Sequence, residues 1–119
     1  MNIQHQKLAS GSWGKMSLAE QLANVGSEVE RTISWKEKGN EEYSKKAFGR
    51  ALELLSLTKD SHRDLPQLKE ISRVYELLVD HFGEKNRFKS TDDSWRSYFN
   101  HYTYLAAKKR LTARVSASI

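Results

Sequence analysis

The 119-residue chain contains no cysteine and a single proline. The first absence excludes disulfides, thiolate zinc sites and thiol nucleophiles, and it fits a reducing compartment. The second leaves long stretches without the residue that most strongly interrupts helices. No run approaches the roughly 20 apolar residues that cross a bilayer. The N-terminus lacks the apolar centre of an export signal, so the expected location is the cytoplasm, away from membranes. Glycine-rich phosphate loops and nucleophile motifs are missing too. His5, His62 and His81 have no partners at ligand-like helical spacing, so neither a metal site nor a cofactor is expected. Acidic residues are missing from both ends, because all 15 lie between residues 17 and 94.

What remains is a length suited to one compact domain, with 38% hydrophobic and 29% charged residues, a balance that supports a core without metal or disulfide help. Residues 1–16 hold small and polar residues around an isolated Trp13 and read as a flexible arm. Ser17 and Glu20 then stand in the reciprocal arrangement of a capping box, which marks a helix start. Leu18, Leu22, Val25, Val29 and Ile33 recur at helical spacing and give that helix one apolar face. Lys36, Lys38 and Gly39 supply its end signals, with Trp35 off the stripe and placed to cover one end of a bundle.

Asn40 caps a second segment with Glu41 and Glu42 in its first turn, where negative charge is favoured. Ala47, Phe48, Ala51, Leu52, Leu54 and Leu55 form its inward face. Pro66 suits the first turn of a third helix, because its missing donor would be unpaired there anyway. Leu68, Ile71, Val74, Tyr75, Leu78 and Phe82 make the third stripe, and Gly83 closes it. After a polar loop over 84–90, Thr91, Asp92 and Asp93 open a fourth segment, whose face is rich in aromatics: Trp95, Tyr98, Phe99, Tyr102, then Leu105 and Ala106. No useful stretch alternates with period two. The expectation is an all-α, up-down four-helix bundle over 17–110, followed by a basic tail or helix extension over 111–119.

Charge is distributed unevenly along this frame. From Trp95 onward come Arg96, Lys108, Lys109, Arg110 and Arg114 with no acid, an arrangement suited to an anionic partner such as RNA or an acidic protein. Tyr104 is the one tyrosine of the fourth segment that points outward, beside Lys108, where a ring can stack on a base while cations hold phosphates. Cations also complement the C-terminal end of a helix dipole, so the same residues have a structural use.

Three resemblances can be named on particular residues. Arg96-Ser97-Tyr98-Phe99-Asn100-His101 resembles the R-x4-6-H motif of HEPN domains, small helical bundles that often dimerise and many of which are metal-independent RNases. The resemblance implies a site in which His101 moves a proton from a ribose hydroxyl and Arg96 stabilises charge on the phosphate. At about 100° per residue the two side chains stand about 140° apart on a helix, so such a site draws on the partner subunit or on an uncoiled turn. Trp35 to Asn40 with Phe48 and Ala51 is similar to the tetratricopeptide signature, and with no second copy it implies a single helix hairpin. Ser17 to Arg31 (SLAEQLANVGSEVER), Trp35 to Leu55 (WKEKGNEEYSKKAFGRALELL) and the segment ending AAKKR resemble a family of small uncharacterised prokaryotic helical proteins, which implies the fold and no activity. The leading expectation is a non-catalytic binding or accessory module, homo-oligomeric, contacting RNA or an acidic protein through Tyr104, Lys108, Lys109, Arg110 and Arg114. The alternative is an HEPN-like RNase toxin, or its inactive relative, acting through Arg96 and His101.

Overall fold

The capping and spacing signals translate into helices close to where they stand in the chain. The computed structural model describes residues 11–62, 64–83 and 85–118. It contains four α-helices and no strand among the described residues: α1 (Leu18–Glu37), α2 (Glu41–Asp60), α3 (Leu65–Phe82) and α4 (Asp92–Ser118). The Ser17 hydroxyl accepts from the Glu20 amide at 3.2 Å while the Glu20 carboxylate accepts from the Ser17 amide at 3.3 Å, completing the capping box. Gly39 takes φ +79° between α1 and α2, a left-handed conformation open to glycine at little cost. The Asn40 and Asp64 side chains cap α2 and α3 by accepting from Tyr43 and Gln67 amides.

Adjacent helices run antiparallel, as their side-chain pairs show. Across α1 and α2, Gln21 meets His62 near one end and Thr32 meets Ser44 near the other. Lys36 meets Asp92 and Glu20 meets Lys109 across α1 and α4. Glu70 meets Tyr98 and His81 meets Asp92 across α3 and α4. Phe48 packs on Phe82, with ring centroids 5.3 Å apart, between α2 and α3. The result is the up-down bundle that the apolar stripes dictate. Leu22, Val25, Val29 and Ile33 meet Leu54, Leu55, Ile71, Val74, Leu78, Trp95 and Phe99 in one core.

The residues before α1 correct the expectation of a flexible arm through residue 16. Residues 1–10 lie outside the described residues, but Trp13–Lys15 form a turn of 3-10 helix and Trp13 is 2% exposed within the core. Gln21, itself buried, donates to the Trp13 carbonyl at 2.8 Å and to the Ser61 hydroxyl at 3.0 Å, and its carbonyl accepts from His62 Nε2 at 2.7 Å. One amide thus satisfies two turns and ties them to α1.

The C-terminal segment takes the helical form of the two alternatives. At about 1.5 Å per residue, the 27 residues of α4 span about 40 Å, about 10 Å more than α1 or α2. Among the described side chains of α4, Ala106 is the last one buried, and those from Ala107 to Ser116 are exposed. About three turns of helix therefore carry no side chain into the core.

Candidate interaction surface

Arg96 and His101 occupy different surroundings. The Arg96 guanidinium donates to Glu30 at 2.8 and 3.1 Å and to Glu37 at 2.9 Å, with Asp93 at 3.7 Å. These bonds hold the guanidinium firmly protonated, the hydrogen bond to Glu30 contributing most. In return, the bond from Arg96 holds the Glu30 carboxyl below the usual carboxylate range. Arg96 lines a groove of about 570 Å³ between α1 and α4 with Gly26, Glu30 and Asn100, and His101 is not among the residues around that groove. His101 is exposed, its ring edge-on to Tyr102 at 5.3 Å. Within one chain the two side chains share no cleft, and the arginine is already engaged by carboxylates.

The basic end of α4 divides into engaged and open cations. Lys109 reaches back 3.2 Å to Glu20 at the start of α1. The Ser17 amide, the Ser17 hydroxyl and Lys109 together hold the Glu20 carboxyl below its ordinary value. Lys108 and Arg110 are exposed and make no ion pair among the described residues, whereas Arg114 has an interaction of its own. Tyr104 stands 64% exposed, as its spacing predicts, and Tyr98 and Tyr102 pack partly buried against the core. Tyr98 donates to Glu70 at 2.8 Å, and burial with that bond pushes its hydroxyl far above the usual range.

Two apolar side chains join this end, and the charge pattern alone did not single them out. Leu111 is 62% and Val115 55% exposed. Taking Tyr104 as reference, about 100° per residue sets Leu111 and Val115 within about 20° of it, on a single stripe. Trp95, Phe99 and Ala106 mark the core side, about 160° away. The spacing of 104, 111 and 115 is readable from the sequence; that the stripe faces outward past the end of the bundle is not.

A second polar centre joins α1, α3 and α4. His81 Nε2 bonds Asp92 Oδ1 at 2.8 Å, and Lys36 Nζ lies 3.3 Å from both Asp92 oxygens. Partial burial pushes the Asp92 carboxyl upward, but the bond from His81 and the charge of Lys36 outweigh it and hold the group low. His81, Lys36, Ser44, Lys45 and Phe48 border a recess of about 440 Å³. No three His, Asp or Glu residues converge on a possible metal position among the described residues, and no helix there is long and apolar enough to cross a membrane. Comparison with protein-family models, with curated proteins and with solved structures found no match to this chain.

Proposed function

We propose that the chain is a non-catalytic helical binding module whose projecting α4 end contacts an anionic macromolecule, either an RNA or an acidic protein. One observation carries this reading: α4 continues past its last buried residue, Ala106, and holds Lys108 and Arg110 in solvent without carboxylate partners among the described residues. A helix built only to close a bundle gains nothing from turns that bury nothing. The non-catalytic part is supported by Arg96, whose donors are taken up by Glu30 and Glu37.

The test uses a labelled oligouridylate and labelled polyglutamate as probes, with binding followed by fluorescence anisotropy across a salt series. Wild-type protein is expected to bind at least one of them at low salt and to weaken as salt rises. The double change Lys108→Gln and Arg110→Gln should lower the logarithmic salt slope for single-stranded RNA by about 1.4, roughly 0.7 for each lost phosphate contact. Failure to bind either probe at low salt rejects the proposal. Cleavage of the oligouridylate that disappears in His101→Ala, with the fold retained, would replace it with the RNase reading.

A further inference from the structure

The apolar stripe on the end of α4 narrows the partner class. Tyr104, Leu111 and Val115 are all more than half exposed and point away from the bundle. About 100° per residue places Lys108 about 40° to one side of the stripe and Arg110 about 120° to the other. An anchor row flanked by cations, on a helix that the bundle does not cover, is the pattern of a helix that lies in a groove.

Resting on the binding reading above, we infer that the α4 end is a helical ligand for another protein, one whose apolar groove is rimmed by carboxylates. The groove takes the tyrosine, leucine and valine as anchors at i, i+7 and i+11, while its acidic rims meet Lys108 and Arg110. Charge and geometry select this occupant over three others. A second copy pairing through the same stripe brings two acid-free segments together, and the like charges repel. A flat bilayer reaches only the stripe side and leaves Arg110 turned toward the opposite side of the helix. Single-stranded RNA uses cations and rings but gains little from exposed aliphatic side chains. A protein groove wraps the helix and satisfies both kinds of side chain. Lys109, bonded to Glu20, ties the helix to the start of α1 beside this surface.

Calcium-loaded calmodulin provides a probe with the required chemistry, an acidic and methionine-rich groove that accepts basic amphipathic helices. Titration of the full chain should give saturable binding. Leu111→Ala and Val115→Ala should each weaken it by about tenfold, a size ordinary for a buried anchor. Alanine keeps the helical propensity, and circular dichroism checks that the fold is unchanged. Leu111→Met, which preserves bulk, should bind nearly as wild type does. The same variants are titrated against the oligouridylate, polyglutamate and vesicles of phosphatidylcholine with phosphatidylserine.

Absence of calmodulin binding overturns the groove inference, as does binding indifferent to Leu111→Ala. Vesicle binding that depends on Leu111, without calmodulin binding, overturns it in favour of a lipid surface. If the groove inference fails while the oligouridylate or polyglutamate still binds through Lys108 and Arg110, the broader binding reading stands. Loss of every probe removes both.

Discussion

Gly26 shows how much one missing side chain contributes to the packing of α1 on α4. A Cβ built there would lie 2.6 Å from Phe99 Cβ, closer than packed carbons approach. Gly26→Ala must push the helices apart or turn Phe99 from its place in the core, and it is expected to destabilise by about 1–3 kcal/mol. Gly49 lies within α2, is exposed, and has nothing within 4 Å of a built Cβ. Gly49→Ala should therefore stabilise by about 0.5–1 kcal/mol through backbone entropy and helix propensity. Urea midpoints at unchanged m-value check both signs, and the same sign for both would contradict the packing described here. Trp13 marks where residue-level reading fell short. Flanked by Ser12 and Gly14 it belongs to no periodic stripe, and its burial depends on the bond from Gln21 to its carbonyl and on contacts made only once α1 and α2 have folded. His81 is similar: its partner Asp92 lies 11 residues further on, across a loop, so no helical spacing reveals the pair.

The contact between α1 and α4 is apolar at its centre and ionic along its edges. Glu20–Lys109, Glu30–Arg96 and Asp92–Lys36 bridge the two helices near their ends and along their length. Each exposed pair contributes little, about 0–1 kcal/mol, but their pH dependence is shared. The carboxyls of Glu20, Glu30 and Asp92 are all held low in the folded chain. A group whose folded pKa is depressed contributes stability that is fully present above its unfolded value and is lost as pH falls through the folded value. Stability should therefore begin to fall as pH drops through the ordinary carboxylate range, about pH 4–5, where the unfolded carboxyls take up protons, and continue to fall below it as the depressed folded groups are protonated in turn. In chemical denaturation across that range, Glu30→Gln should show a smaller fall than wild type; an equal fall would show that the Glu30–Arg96 bond adds nothing. The helices themselves were legible because their signals are local: Ser17 with Glu20, Asn40, Pro66 and Gly83 all punctuate the chain as their chemistry requires. The ionic edges were not legible, since Arg96 meets Glu30 from 66 residues away. That same bond is what separates the arginine from the histidine with which it forms a sequence motif.

On the scale of the molecule, the bundle measures 50 × 28 × 26 Å, longer than the about 30 Å of a 20-residue helix. The fold class could be read from four stripes and their punctuation, and the basic character of the C-terminal segment from its composition. The surface it forms could not, because that depends on where α1 begins beside it and leaves the α4 side chains from Ala107 to Ser116 exposed. The end of α4 is helical with its side chains from Ala107 to Ser116 exposed, and helix of that kind opens readily in water. Hydrogen exchange read by mass spectrometry tests this arrangement most directly, on the full chain alone and with calcium-loaded calmodulin. The free chain should protect the amides of α1 and of α4 up to Ala106 and exchange rapidly from Ala107 to Ser118, and the probe should add protection over that last segment. Protection of the segment equal to that of the bundle in the free chain, or protection by the probe confined to other helices, would contradict the account.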